Sequence, residues 1–309
     1  MSRNPPLIAI LGPTASGKSA LAMHLAQEFH GEILACDSTQ LYRGFDIGTG
    51  KPSKDDRRAI PHHLLDVLNP GEDASAGAYR EMAIAVLEDL PRRGKLPILT
   101  VGTGLYMRAL FEGLADLPQR SEEVRVRLRG VIDKHGPAYL HRLLKHLDRD
   151  SAARIAAGDI QKLIRAIEVC VLARKPLTQV HSAGRNPLQG WQIIKIGLNP
   201  PREELYARIH ARIDNMLAAG WQEEVRRLTG AGGAENSKPF DFLGYKELRA
   251  VQRHELTLSE ARAAIQQSTR RYAKRQQTWF RRETPVHWFT GFGDDPQTQK
   301  QASEFVGNL

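Results

Sequence analysis

A parallel α/β sheet flanked by helices and interrupted by an all-helical insertion is the fold this sequence predicts. Three observations carry that prediction. Short apolar runs of strand length alternate with helical patterns through the N-terminal third. A glycine-rich loop, "GPTASGKS" at Gly12 to Ser19, stands directly between one such run and one such helix. From about Pro118 to Asn186 the alternation stops and only helical periodicities remain, and the strand pattern resumes at Trp191. Strands alternating with helices imply a parallel sheet covered on both faces.

The first strand is the apolar run Leu7–Leu11. In the loop that follows, Gly12 and Gly17 let the backbone curl so that successive N–H groups turn inward on an anion. Lys18 adds a cation, and the Ser19 hydroxyl suits a Mg²⁺ ion held together with phosphate oxygens. Leu21, Leu25 and Phe29 fall on one face of a helix that begins inside the loop, so its positive end points at the same anion. Gly12, Pro13, Thr14, Ala15, Ser16, Gly17, Lys18 and Ser19 together read as the phosphate site of a P-loop NTPase-like fold.

The next strands are Glu32–Cys36 and Pro97–Val101, with a helix over Ala78–Leu90 between them. Ligands of open parallel sheets bind at the carboxyl ends of the strands. That rule gathers Gly12–Ser19, Asp37 and Gly102-Thr103-Gly104 at one edge. A carboxylate at Asp37 is placed to take a proton from a nucleophile; the ordinary alternative is a helix cap. The Thr103 hydroxyl can reach a phosphate or leaving-group oxygen, or simply close a strand-end turn.

The insertion opens at Ser121-Glu-Glu, a helix start with acids at its positive end. Val124, Leu128, Val131 and Ile132 give that helix one apolar face. Tyr139–Leu147, Ala152–Ala157 and Ile160–Leu172 read as further helices. Strands resume at Gln192–Leu198 and Val286–Phe289, with long helices from Glu203 to Leu228 and from Ser259 to Arg282. The predicted organisation is a core over residues 1–117, the insertion over 118–190, and the remainder of the core over 191–309.

The chain has 309 residues and is 41% hydrophobic, enough to bury a core. A formal net charge of +9 points to a polyanionic partner. Two cysteines, Cys36 and Cys170, exclude a disulfide framework and a cysteine-built zinc module. The first apolar run leads straight into the phosphate loop rather than forming a signal peptide, and no stretch has the length of a membrane span. The expectation is a soluble cytoplasmic protein. Near the C-terminus, "TRRYAKRQQTWFRR" carries Arg270, Arg271, Lys274, Arg275, Arg281 and Arg282, interleaved with Tyr272, Trp279 and Phe280. Basic side chains follow a phosphate backbone and aromatics stack on bases; Trp279 and Phe280 are expected to pack inward and part of the cationic face to meet nucleic acid. The later apolar runs, "ILTVGTGLY" and "IIKIGLNP", do not end in the carboxylate by which NTP-hydrolysing motors hold Mg²⁺. Asp66 in "HHLLDV" is available only from a very short strand, which weakens a hydrolase reading.

With these residues assembled, the chain resembles the tRNA dimethylallyltransferase (tRNA isopentenyltransferase) family, in its bacterial form. The likeness runs nearly end to end through "GPTASGKS", "DSTQLYRGFDIGTGKP", "PHHLLDV", "GTGLYMRAL", "RIAAGDIQKLIRAIEV", "FLGYKE" and "YAKRQQTWFRR", in the family's order. It implies transfer of a five-carbon alkyl group from dimethylallyl diphosphate to N6 of the adenosine 3′ of the anticodon, in tRNAs reading codons that begin with U. Diphosphate is expelled. Asp37 then orients the amine and accepts its proton, Thr103 helps hold the bridging oxygen, and the loop with Mg²⁺ and Arg212 binds the diphosphate. Asp37, Ser38, Thr39 and Gln40 line the point where base and allylic carbon meet. Arg125, the segment Gln161, Lys162, Leu163, Ile164 and Arg165, and the segment Phe242, Leu243, Gly244, Tyr245, Lys246 and Glu247 match positions that touch the anticodon stem-loop. One chain holds a whole site, so a monomer without an obligate protein partner is implied.

Three departures from the family pattern stand out. Val101 replaces the first of two glycines before Thr103, "AAGDIQ" lacks a proline common near its aspartate, and the C-terminal finger of eukaryotic members is absent. Other readings remain open on the residues alone. A small-molecule P-loop kinase would explain the loop and Asp37, but not the basic helix or the insertion. An adenylate isopentenyltransferase would use a free nucleotide in place of RNA. A non-enzymatic tRNA-binding protein would reduce Asp37 and Thr103 to turn residues.

Overall fold

The computed structural model describes residues 4–115, 117–182, 184–230 and 237–309. Strands β1 (Pro6–Leu11), β2 (Gly31–Cys36), β3 (His62–His63), β4 (Leu96–Val101), β5 (Gln192–Leu198) and β6 (His287–Phe289) make one sheet in the order β3-β2-β4-β1-β5-β6. Every pairing is parallel. All of β2 and all but the first residue of β1 are buried, as expected of strands covered on both faces.

The helices in chain order begin with α1 (Lys18–Glu28), α2 (Lys54–Ala59), α3 (Ala76–Asp89) and α4 (Gly104–Glu112). Then come α5 (Glu122–His135), α6 (Pro137–Leu147), α7 (Arg149–Arg154), α8 (Ile160–Ala173) and α9 (Leu177–Ser182). The chain closes with α10 (Arg202–Ala218), α11 (Trp221–Gly230), α12 (Tyr245–Gln252), α13 (Leu258–Phe280) and α14 (Pro296–Gly307). No described helix is long and apolar enough to cross a membrane.

By contacts the chain divides into two compact units, Met1–Leu110 with Gln189–Leu309, and Phe111–Leu188. The boundary falls earlier than the predicted residue 118, inside the last turn of α4. In the sheet unit, Ile8 and Ile10 of β1 pack with Leu21 and Leu25 of α1, Ile196 and Leu198 of β5, and Val306 of α14. The helical unit has its own core, in which Leu128, Leu140, Leu144, Leu163 and Ile167 meet. Its first helix starts where the sequence places it, with the Ser121 hydroxyl accepting from the Val124 N–H at 3.3 Å.

The long helix expected from Glu203 to Leu228 is two helices. Gly220, at φ 95°, takes the left-handed conformation that ends α10. The turn sends Trp221 into the core between Gly48 and Gly244, where an added Cβ would come within 2.2 Å and 2.0 Å of the indole. The short α2 buries nothing, so no apolar period announces it. It rests on a capping box in which Ser53 and Asp56 satisfy each other's backbone N–H groups.

Register sets up the site. Cys36 lies opposite Val101, and Ile10 opposite Thr100. The residues that leave β1, β2 and β4 therefore emerge together at one edge of the sheet.

Candidate active site

The loop after β1 curls through Gly12 at φ 153°, Ala15 at 64° and Gly17 at 87°. Gly17 caps α1 without any side-chain bond, which leaves the first N–H groups of that helix for an anion. Lys18 Nζ turns back to donate to the carbonyls of Gly12 at 2.9 Å and Pro13 at 2.8 Å. Burial, reinforced by the nearby Arg212 charge and opposed by Asp37, brings the Lys18 pKa down to about 7. An anion in the loop would reverse that penalty. Ser16 is buried with its hydroxyl unpartnered, and Ser19 is exposed.

After β2, the Asp37 carboxylate is held through one oxygen among the described residues. Its Oδ1 accepts from Thr39 N at 2.9 Å and Thr39 Oγ1 at 2.7 Å. Its Oδ2 lies over Gly102, where an added Cβ would come within 2.0 Å. The backbone N–H groups of Gly102 and Thr103 donate to Cys36 O at 3.0 and 2.9 Å, tying the ends of β2 and β4 together. Thr103 Oγ1 accepts from Ser38 N at 3.0 Å and donates to Ser38 Oγ at 3.3 Å, so this hydroxyl shapes the Asp37–Ser38 turn. Val101, which stands where the family pattern has a glycine, is fully buried and does not border the cavity.

A cavity of about 540 Å³ opens beside these strand ends. Thr14, Asp37, Ser38 and Thr39 supply part of its polar wall. Arg212 enters from α10 together with Ile209, Ile213 and Met216, one helical face at three- and four-residue spacing. Burial pushes the Arg212 pKa down while Asp37 pulls it up, and among the described residues its guanidinium has no hydrogen-bond or ion-pair partner. A desolvated arginine without a carboxylate is a site for an outside anion. Gly50, at φ 62°, gives it room: an added Cβ would stand 1.9 Å from its terminal nitrogen.

Several residues build this site through long-range contacts that no motif announces. Gln276 of α13, nearly buried, accepts from Thr14 N at 2.7 Å and donates to Gly102 O at 2.8 Å. It pins the phosphate loop to the end of β4. Tyr272 donates to the same carbonyl at 3.1 Å, and burial raises its phenol pKa, keeping it a donor. Buried Glu224 accepts from the N–H groups of Asp46, Ile47 and Gly48 at 3.1, 2.8 and 3.4 Å and from Tyr245 OH at 2.6 Å. It thereby fastens the 46–48 loop to the "FLGYKE" segment. Gln40 donates from Nε2 to the carbonyls of Thr49 and Gly50, both at 3.2 Å, continuing the same scaffold.

The segments matched to RNA contact divide by geometry. Phe242, Leu243, Tyr245 and Lys246 border the cavity, Gly244 packs on Trp221, and Glu247 caps α12 by accepting from Gly244 N at 2.7 Å. In the helical unit Gln161 and Lys162 are exposed. Leu163 and Ile164, 0% and 2% exposed, lie inside the core of that unit. Arg125 and Arg165 converge on the fully buried Glu168, at 2.9 Å and 2.6 Å. On the basic helix, Arg271 and Arg275 border the cavity, whereas Lys274 lies on a different face with Arg281. Phe280 is buried as expected, and Trp279 packs against Gly104 beneath the Arg108 guanidinium. Asp66 is engaged by Lys51 at 2.5 Å and Arg57 at 2.7 Å, as a structural ion pair.

No cluster of three or more His, Cys, Asp or Glu side chains among the described residues is arranged to hold a metal. The oxygen donor at the mouth of α1 is the exposed Ser19 hydroxyl, which fits a hard cation that arrives with a phosphate chain rather than a resident metal.

A family model described as IPP transferase matches residues 40–283, and one described as isopentenyl transferase matches residues 5–66. A tRNA dimethylallyltransferase of Koribacter versatilis is 49% identical over 303 residues, covering 98% of this chain and 98% of its own. A second, from Solibacter usitatus, is 46% identical over 304 residues, covering 98% and 99%. Among solved structures, the tRNA isopentenylpyrophosphate transferase of Bacillus halodurans superposes with a TM-score of 0.72 at 33% identity, over 98% of this chain and 96% of that one. A eukaryotic dimethylallyltransferase acting on tRNA shares the fold at a TM-score of 0.82 and 24% identity, over 98% and 80%. By sequence along its whole length and by architecture, this chain belongs to the IPP transferase family.

Proposed function

We propose that this chain is a tRNA dimethylallyltransferase that moves the alkyl group of dimethylallyl diphosphate to N6 of the adenosine 3′ of the anticodon, in tRNAs reading codons that begin with U. One observation carries the reading: a carboxylate with one oxygen locked and the other open, Asp37, shares a cavity with Arg212, a half-buried arginine that has no ion-pair partner among the described residues.

The adenine amine is a poor nucleophile because its lone pair is delocalised into the ring. Asp37 orients it by accepting an N6 hydrogen bond and takes that proton as the C–N bond forms. The C1–O bond breaks in the same step, and its electron pair leaves with diphosphate. Lys18, the loop amides and Arg212 bind that developing charge. A Mg²⁺ ion on Ser19, diphosphate oxygens and water would add Lewis-acid neutralisation of the leaving group. Thr103 serves chiefly by fixing the Asp37–Ser38 turn through Ser38. The stacked base must leave the anticodon loop to reach this cavity, and Phe242, Leu243, Tyr245 and Lys246 with Arg271 and Arg275 offer it walls. Arg125, Gln161, Lys162 and Arg165 hold the stem-loop from the helical unit.

Incubation with labelled dimethylallyl diphosphate, Mg²⁺ and either tRNA or AMP tests the reading. Label on tRNA alone supports it. Label on AMP alone assigns the chain to the free-nucleotide enzymes, and RNA binding without transfer reduces it to a binding protein.

A further inference from the structure

Gly17 is more confined than the curl of a phosphate loop requires. The segment after β6, Gly291 to Asp294, lies against it from outside. A Cβ on Gly17 would stand 2.6 Å from Gly293 N and 2.9 Å from both Asp294 N and Asp294 Oδ1. A Cβ on Gly293 would in turn stand 2.3 Å from Gly17 O. Gly293 N donates to Ser16 O at 2.9 Å. The Asp294 carboxylate is gripped by one terminal nitrogen of Arg208, at 2.6 and 2.7 Å, and the Arg208 guanidinium sits 3.7 Å above the Phe292 ring. Arg208 stands one turn before Arg212 on α10.

A loop can turn its N–H groups inward only if its carbonyls turn outward and find donors there. Gly293 supplies such a donor to Ser16. Asp294 ties the supporting segment to the helix that carries the cavity arginine. We propose that Gly293 and Asp294 are positioning residues of the diphosphate site. They hold the curl of the phosphate loop from behind and, through Arg208, fix its placement relative to Arg212. The proposal rests on the reading of Gly12–Ser19 and Arg212 as that site.

The Arg208–Asp294 pair is close to half exposed, and exposed pairs contribute little to global stability. Variants of it therefore fold, and any kinetic effect is local. The test compares the wild type with Gly293→Ala, Arg208→Gln, Asp294→Asn and the Arg208→Gln/Asp294→Asn double variant. It reads KM for dimethylallyl diphosphate, kcat, Kd for an anticodon stem-loop, and binding of inorganic diphosphate by calorimetry. Gly293→Ala is expected to raise KM and weaken diphosphate binding about tenfold, a sub-ångström misplacement of the loop. RNA affinity stays unchanged. The two single variants show a smaller loss in the same direction, and the double variant is no worse than either, because both act through one contact. Unchanged KM and diphosphate binding in all folded variants, or an equal loss of RNA affinity, overturns the proposal. A wild type that binds no diphosphate overturns the site reading and the proposal with it, an outcome distinct from variants that merely match a competent wild type.

Discussion

The carboxylate of Asp37 occupies the space that a side chain at Gly102 would fill, with Oδ2 only 2.0 Å from the position of an added Cβ. Gly102 is therefore a glycine because the carboxylate at the end of the neighbouring strand lies on it. Oδ1 is anchored by Thr39, so Gly102→Ala must rotate the carboxylate out of line while leaving the RNA surface intact. The expected result is a kcat lower by about 10²-fold with stem-loop Kd unchanged, read by single-turnover transfer and filter binding. An unchanged kcat would separate Asp37 from the chemistry.

Val101 yields a contrasting expectation. Its side chain is fully buried at the end of β4, away from the cavity. Val101→Gly removes buried methyl groups and loosens a central strand, a destabilisation of about 2–3 kcal/mol visible in urea unfolding. KM for dimethylallyl diphosphate should not change. A lower KM without loss of stability would place the valine against the substrate.

Lys18 should make binding of the proposed diphosphate pH-dependent. In the free protein burial and Arg212 hold it at about 7, below its ordinary 10.5, so near pH 8 it is largely neutral. Between those values the unfolded chain binds the extra proton, and the contribution of Lys18 to the stability of the free protein rises with pH. A bound diphosphate favours the charged form, so binding at pH 8 takes up a proton and weakens as pH rises from 7. Calorimetry in buffers of different ionisation enthalpy measures this uptake, and Lys18→Met should abolish it. Binding without uptake in the wild type would contradict the picture.

Glu168 governs the helical unit. Burial pushes its pKa up, but hydrogen bonds from Arg125, Arg165 and the Ser121 N–H outweigh burial and hold it at about 2, below its ordinary 4.5. A depressed carboxylate stabilises the fold above pH 4.5 and loses that contribution as pH falls toward 2. Glu168→Gln leaves two arginines beside a neutral buried group, at a cost of about 3 kcal/mol at pH 7. It should flatten the acid limb of thermal unfolding. An acid limb identical to wild type would remove Glu168 from this role.

The sequence made the strand ends legible because phosphate chemistry demands particular residues in a contiguous run. Gly12–Ser19 and Asp37 could be placed from spacing and the strand-end rule alone. Nothing in the local pattern sets Arg212 apart from a helix-surface arginine; only the family likeness points to it, and in the structure its guanidinium packs beside Gly50. Gln276, Glu224 and Gly293 were not legible. Gln276 reaches Thr14 across 262 residues, and Glu224 serves backbone N–H groups in a loop far upstream, so neither leaves a local pattern. A matched segment does not show which of its residues face outward: in Gln161–Arg165 helical geometry turns Leu163 and Ile164 into the core and leaves Gln161 and Lys162 exposed. The break at Gly220 is hidden in the sequence because apolar periodicity continues across it and only the glycine's left-handed φ marks the turn.

The most direct test of the central claim locates the transferred group. Purified protein is incubated with Mg²⁺, labelled dimethylallyl diphosphate and an anticodon stem-loop bearing adenosine 3′ of a U-codon-reading anticodon, and the RNA is digested and analysed by mass spectrometry. The account predicts one dimethylallyl group, on N6 of that adenosine, and none when guanosine replaces it. Alkylation elsewhere in the RNA, or undiminished transfer to the guanosine stem-loop, would contradict it.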